Sequence, residues 1–157
     1  MKPFFGILFA LLSFNALSAD LYWKQGFTED RHEIMVYSSE TCGCCKGWIS
    51  HLKEHNFDVK DIKVKTVEEY KLNLDVPQKA ASCHTAVVDG VVIEGHVPAQ
   101  DIKHLLANRD DTRLLTVPAM PSGTPGMDTP GAPKHNFKVY AISNDNEVSV
   151  FKSYSNY

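Results

Sequence analysis

The chain has 157 residues, of which 43% are hydrophobic, and a formal net charge of −3 without any basic block. That length suits one domain with a real hydrophobic core. The charge pattern argues against nucleic acid and against an anionic membrane surface as partners.

Residues 1–19 have the anatomy of a secretory signal peptide. Lys2 supplies a positive start, Phe4 to Leu12 an apolar run, and Asn15-Ala16-Leu17-Ser18-Ala19 small residues at a cleavage site. The run is shorter than the about 20 residues a membrane helix needs, and no later stretch is a transmembrane candidate. The expected mature chain is therefore exported, with a net charge of −4 once Lys2 is gone.

Residues 20–31 read as a loose N-terminal arm. His32 to Ser38 carries Ile34, Met35, Val36 and Tyr37 and predicts a buried strand. Trp48, Ile49 and Leu52 then recur at helical spacing, so a helix starts at or just after Cys42-Gly43-Cys44-Cys45 and runs to about Asn56. Phe57 to Val64 alternates apolar and charged residues as a second strand. Thr66 to Leu74 fits a short helix, with Thr66 and Glu69 as a capping box and Pro77 as its stop. Cys83 to Val88, the turn Asp89-Gly90 and Val91 to Glu94 predict a hairpin. Gly95-His96-Val97-Pro98 leads into a helix to about Asn108, with Ile102, Leu105 and Leu106 on one face.

The order strand, helix, strand, helix, hairpin, helix predicts an α/β, thioredoxin-like fold over residues 20–116. Residues 117–157 form a C-terminal extension packed on the same domain. Its first part, 117–135, is rich in Pro, Gly and Met and predicts irregular structure. Phe137 to Ile142 and Glu147 to Tyr154 predict a closing β-hairpin.

All four cysteines lie between positions 42 and 83, three of them within Cys42-Gly43-Cys44-Cys45. Two scaffold disulfides, the default for an exported protein, fit this clustering poorly, and a bridge between the neighbours Cys44 and Cys45 would be strained. Cys42 and Cys45 form a Cys-x-x-Cys pair for which a redox disulfide is easy. The third thiol, Cys44, favours a soft metal ion, because thiolates at a helix N-terminus are stabilised by the amide dipoles. Cys83-His84 and His96 extend the donor set, and Cys, His and Met together in an exported chain point toward copper. Each has a plainer reading: Cys83 as a small buried hydrophobe, His84 as a surface strand residue, His96 as part of a turn, and Met120 and Met127 as packing. Trp48 reads as core, and His32, His51, His55 and His104 as solvated.

The motifs Thr41-Cys42-Gly43-Cys44-Cys45-Lys46-Gly47-Trp48, Ser82-Cys83-His84-Thr85, Gly95-His96-Val97-Pro98 and Val117-Pro118-Ala119-Met120-Pro121, with Gly126-Met127 beyond, closely resemble the CopG-like family of periplasmic copper-resistance proteins. The resemblance runs from about residue 33 to 142 and departs mildly at Ala119 and Thr124. It implies a thioredoxin-like domain with a C-terminal extension and a thiolate-bridged multinuclear copper cluster. It also implies interconversion of Cu(I) and Cu(II), which would make the chain a copper oxidoreductase. Carried over by position, the thiolates are Cys42, Cys44, Cys45 and Cys83, the candidate imidazoles His84 and His96, and the weaker candidates Met127 and His135. The expected cargo is several copper ions per chain. The expected setting is the periplasm, as a monomer among copper-handling or electron-transfer proteins. The competing function is a thiol–disulfide oxidoreductase with Cys42 as nucleophile and Cys45 as resolving thiol. A copper buffer or chaperone without turnover is a third.

Overall fold

The computed structural model describes residues 21–157; the expected signal peptide lies outside the described residues. The chain forms a mixed α/β structure around one seven-stranded sheet in the order β2-β1-β3-β4-β5-β6-β7.

Strand β1 (His32–Ser38) buries Ile34, Val36 and Ser38 on one face, the period-2 pattern of a pleated strand. Helix α1 (Gly43–Glu54) lays Cys45, Trp48, Ile49 and Leu52 on its buried side. It ends at His55, followed by Asn56 at φ 63°, the left-handed conformation common after a helix. Strand β2 (Phe57–Lys63) then pairs parallel to β1. Helix α2 (Glu68–Asn73) begins later than the expected capping box requires. Its N-cap is Val67, no side chain caps it, and Glu69 falls in its first turn. The helix therefore does not use Thr66 as its cap.

Strands β3 (Thr85–Val88) and β4 (Val91–Glu94) form the expected hairpin. Asp89 and Gly90 both have positive φ, at 46° and 79°, as a two-residue turn matched to strand twist requires. Antiparallel pairing of β3 with β1 places the hairpin in mid-sheet, so all four β4 residues are buried. Helix α3 (Ala99–Ala107) leads into β5 (Thr112–Thr116), parallel to β4 and not anticipated from the sequence.

Residues 117–136 are irregular, as expected. Strands β6 (Phe137–Ser143) and β7 (Val148–Tyr154) are the closing hairpin, and β6 pairs antiparallel with β5, so the extension continues the central sheet. The irregular segment crosses the first turns of α1. A Cβ on Gly47 would stand 2.8 Å from the Cα of Gly126.

The N-terminal arm is not loose. Trp23 is buried among Phe137, Tyr154 and Tyr157 and donates from its indole N–H to the Gly123 carbonyl at 2.9 Å. Lys103 donates to the carbonyls of Thr28 at 2.8 Å and Asp30 at 2.7 Å. An aromatic anchor plus these bonds outweighs the polar composition of the arm. No helix among the described residues is long and apolar enough to cross a membrane.

Candidate metal centre

Cys42 stands immediately before α1 as its N-cap, with no side chain capping the helix. The first-turn amides, which helix geometry leaves without intrahelical partners, are at the end of α1 that carries Cys42, Cys44 and Cys45. Cys83 approaches from the opposite side, on the loop that enters β3. Its sulfur lies 3.7 Å from Cys44 Sγ and 3.8 Å from Cys45 Sγ, and Cys42 and Cys44 are 3.6 Å apart. On its other flank Cys83 Sγ meets His84 Nδ1 at 3.2 Å and His96 Nε2 at 3.3 Å.

Two donor groups result, Cys42-Cys44-Cys45-Cys83 and Cys83-His84-His96, each with its ligand atoms within 4.8 Å of one another. Cys83 is common to both. Around one tetrahedral ion, two thiolates at about 2.3 Å lie roughly 3.8 Å apart, and a thiolate and an imidazole roughly 3.5 Å apart. The observed separations are close to these edges, and the soft sulfur and imidazole set suits copper or zinc. Cys42 and Cys45 are joined as a disulfide, while Cys44 and Cys83 are free thiols.

The imidazoles are prepared as neutral donors. His96 Nδ1–H donates to the Pro125 carbonyl at 2.8 Å, which leaves the Nε2 lone pair facing Cys83. Burial lowers the pKa of His96, and burial together with the charges of His96 and Lys71 lowers that of His84. His84 is fully buried, packs on Trp48 at 4.3 Å between ring centroids, and has no hydrogen-bond partner at Nε2. A buried polar atom left without a partner calls for an explanation such as an ion or a functional role. Burial, reinforced by the neighbouring Cys44, pushes the Cys83 thiol up to about 12, so an incoming cation displaces its proton.

The structure thus brings six of the predicted donors together: Cys42, Cys44, Cys45, Cys83, His84 and His96. The surface-strand reading of His84 does not hold. His135 is exposed and Met127 half-buried on the 117–136 segment, and neither of the two Cys/His groups includes His135. His51 and His55, expected to be solvated, are buried. His51 Nε2 accepts the Ala99 N–H at 2.9 Å, and His55 Nε2 donates to the Trp23 carbonyl at 2.6 Å. His32 is also held, 2.8 Å from the Asp89 carboxylate.

Sequence reasoning missed the support of the Cys83 loop. Glu94, fully buried on β4, accepts the backbone N–H of Ser82 at 2.6 Å, the Thr85 hydroxyl at 2.6 Å and the Lys71 ammonium at 2.5 Å. An acidic residue closing the apolar run Val91-Val92-Ile93 was the available signal. Pro125, whose carbonyl sets the His96 tautomer, had no signal of its own.

A family model described as a protein of unknown function, DUF411, matches residues 80–127, which include Cys83, His84, His96 and Met127. No curated protein matches the chain. Two solved structures of copper resistance protein copG are similar to it. Form 2 is 39% identical, with 80% of this chain and 100% of that one covered and a TM-score of 0.76. Form 1 is 40% identical, with coverages of 78% and 96% and a TM-score of 0.73.

Proposed function

The chain belongs to the CopG-like family of copper-resistance proteins, and we propose from that premise that it binds copper, as Cu(I) in a thiolate-bridged multinuclear site, and exchanges it between Cu(I) and Cu(II). The observation that carries this reading is the gathering of the sulfurs of Cys42, Cys44 and Cys45 and the imidazoles of His84 and His96 around Cys83. Copper is the cargo. Sulfur bridging spreads charge and lets several ions share few ligands, and the imidazoles complete the shell. Met127 and His135, both on the segment that crosses α1, are supplementary donors in this reading.

The setting proposed is the periplasm, on the strength of the signal-peptide pattern in residues 1–19. The scaffold is read as thioredoxin-like over 20–116, with 117–157 as an extension of the same domain. The order β2-β1-β3-β4, with α1 directly after β1, supports that reading, as does the packing of Gly126 on Gly47.

The test is metal analysis with free-thiol counting on protein matured in a copper-supplemented periplasm. Several copper ions per chain, with thiols protected until the metal is removed, is the expected result. Cys44→Ser, which keeps the Cys-x-x-Cys pair, should lose the multinuclear copper complement, and wild-type copper content in that variant would overturn the cluster. The Cys42–Cys45 disulfide favours a second reading, a thiol–disulfide oxidoreductase. That reading requires turnover of a disulfide substrate dependent on Cys42 and Cys45 but not on Cys44, Cys83 or His84.

A further inference from the structure

The disulfide divides the donor set unevenly. It takes both of its sulfurs from the α1 side, Cys42 and Cys45, and leaves Cys83, His84 and His96 untouched, with the Cys44 thiol 3.7 Å from Cys83. The surviving Cys83-His84-His96 group has the His₂Cys composition that holds a single copper ion. The bridged pair is also placed for exchange with an outside thiol. Cys42 is half-buried at the helix start, whereas Cys45 is fully buried and lies against Cys83.

We propose that the Cys42–Cys45 pair is the two-electron store of the site, filled by an external dithiol and emptied one electron at a time into two Cu(II) ions, while Cys83, His84 and His96 keep one copper ion throughout. The inference rests on the copper-binding reading above. In the emptying step the two thiols lose two protons to solvent, one sulfur–sulfur bond forms, and two Cu(II) become two Cu(I). In the filling step a thiolate of the dithiol attacks Cys42 Sγ and Cys45 leaves as thiolate. The second thiol of the reductant then attacks the mixed disulfide, so the bridge passes to the reductant. The multinuclear thiolate site therefore exists only in the reduced chain.

The experiment uses the mature chain, reduced with dithiothreitol, desalted without oxygen and mixed with Cu(II). Cu(I) is counted with a chromogenic chelator, bridges are mapped by mass spectrometry after alkylation, and retained copper is measured after desalting. Two Cu(I) per Cys42–Cys45 bridge, and one copper kept by the bridged chain, is the expected result. Cys83→Ser should release that last copper, and His96→Gln does the same should the cysteine variant fail to fold. The Cys42→Ser/Cys45→Ser double variant should retain one copper and form no bridge. Cu(I) produced without a bridge, a bridge mapped to Cys44 and Cys83, or a bridged chain without copper each overturns the proposal. A reduced chain that binds no copper at all instead overturns the copper reading itself.

Discussion

The Glu94 carboxylate and the Lys71 ammonium meet 2.5 Å apart in the interior, tying helix α2 to the strand that leads to His96. The same carboxylate oxygen accepts the N–H of Ser82, the residue before Cys83, so the ion pair sits under the loop that carries the shared thiol. Burial pushes the Glu94 pKa up, and Lys71 opposes it.

Removing one partner leaves an unpaired buried charge. Glu94→Gln should cost about 3–5 kcal/mol in urea unfolding, whereas the Lys71→Met/Glu94→Leu double variant should recover most of that loss. Copper affinity should not recover with it, because Ser82 still lacks its acceptor and the Cys83 loop is loosened. We expect affinity about 10- to 100-fold below wild type, the usual cost of losing a group that orients a ligand. A double variant that is stable and binds copper at wild-type strength would show that the pair does not position Cys83.

Gly126 offers a second handle on the site. It has φ +83°, and a Cβ there would stand 2.8 Å from the Cys44 carbonyl and press on the Trp48 amide nitrogen. Gly126→Ala should therefore lose roughly 2–4 kcal/mol, the sum of left-handed strain and overpacking. It should also shift the adjacent Pro125 carbonyl off His96. Gly131 has φ +81° but open space around it, so Gly131→Ala carries the backbone cost alone. Thermal unfolding of the two variants separates them, and equal losses would mean that the segment does not press on α1.

Local pattern carried most of the scaffold. Strand β1, helix α1 and the Asp89-Gly90 hairpin follow from periodicity and turn chemistry, and three clustered cysteines at a strand-to-helix junction announce the site. Strand β5 did not show because Thr112–Thr116 is five residues long with Arg113 inside it. Its strand character comes from pairing with β4 and β6, which are contacts across the fold. His51 and His55 follow Trp48 by three and seven residues and so share its buried face. The helical period contained that signal, but polar chemistry argued the other way. The Lys71–Glu94 pair spans 23 positions and has no local signature.

Acid should destabilise the chain in part through His51. Burial, with His55 adding to it, lowers its pKa from 6.5 to about 3, so the folded state binds a proton less readily than the unfolded one. Its contribution is fully present above pH 6.5 and is lost progressively as pH falls toward 3. The slope is about 1.4 kcal/mol per pH unit for one proton. His84 and His96 are lowered too and slope the same way, so the informative quantity is the difference between two curves. His51→Gln provides another acceptor for the Ala99 N–H and should flatten the stability–pH curve by one proton between pH 4 and about 6. Parallel curves would mean that His51 already titrates normally in the folded chain.

Asp101 works in the opposite direction. It is buried in the first turn of α3, where the Tyr154 hydroxyl donates to its carboxylate at 2.8 Å. Burial raises its pKa from 3.8 to about 6, although the Tyr154 bond and the charges of Lys152 and His104 pull it down. The folded chain therefore holds this proton more tightly than the unfolded chain, and stability falls as pH rises from 3.8 through 6. Above that window the ionised carboxylate carries a penalty of about 3 kcal/mol. Asp101→Asn removes the ionisation and keeps an oxygen for the Tyr154 hydroxyl. The helix dipole favours a carboxylate at this position by only about 0.3–1 kcal/mol, too little to reverse the balance. The variant should accordingly be more stable than wild type at pH 7 and match it below pH 4, as urea unfolding at the two pH values would show. A variant less stable than wild type at pH 7 would mean that Tyr154 holds an ionised Asp101 strongly enough to overcome its burial.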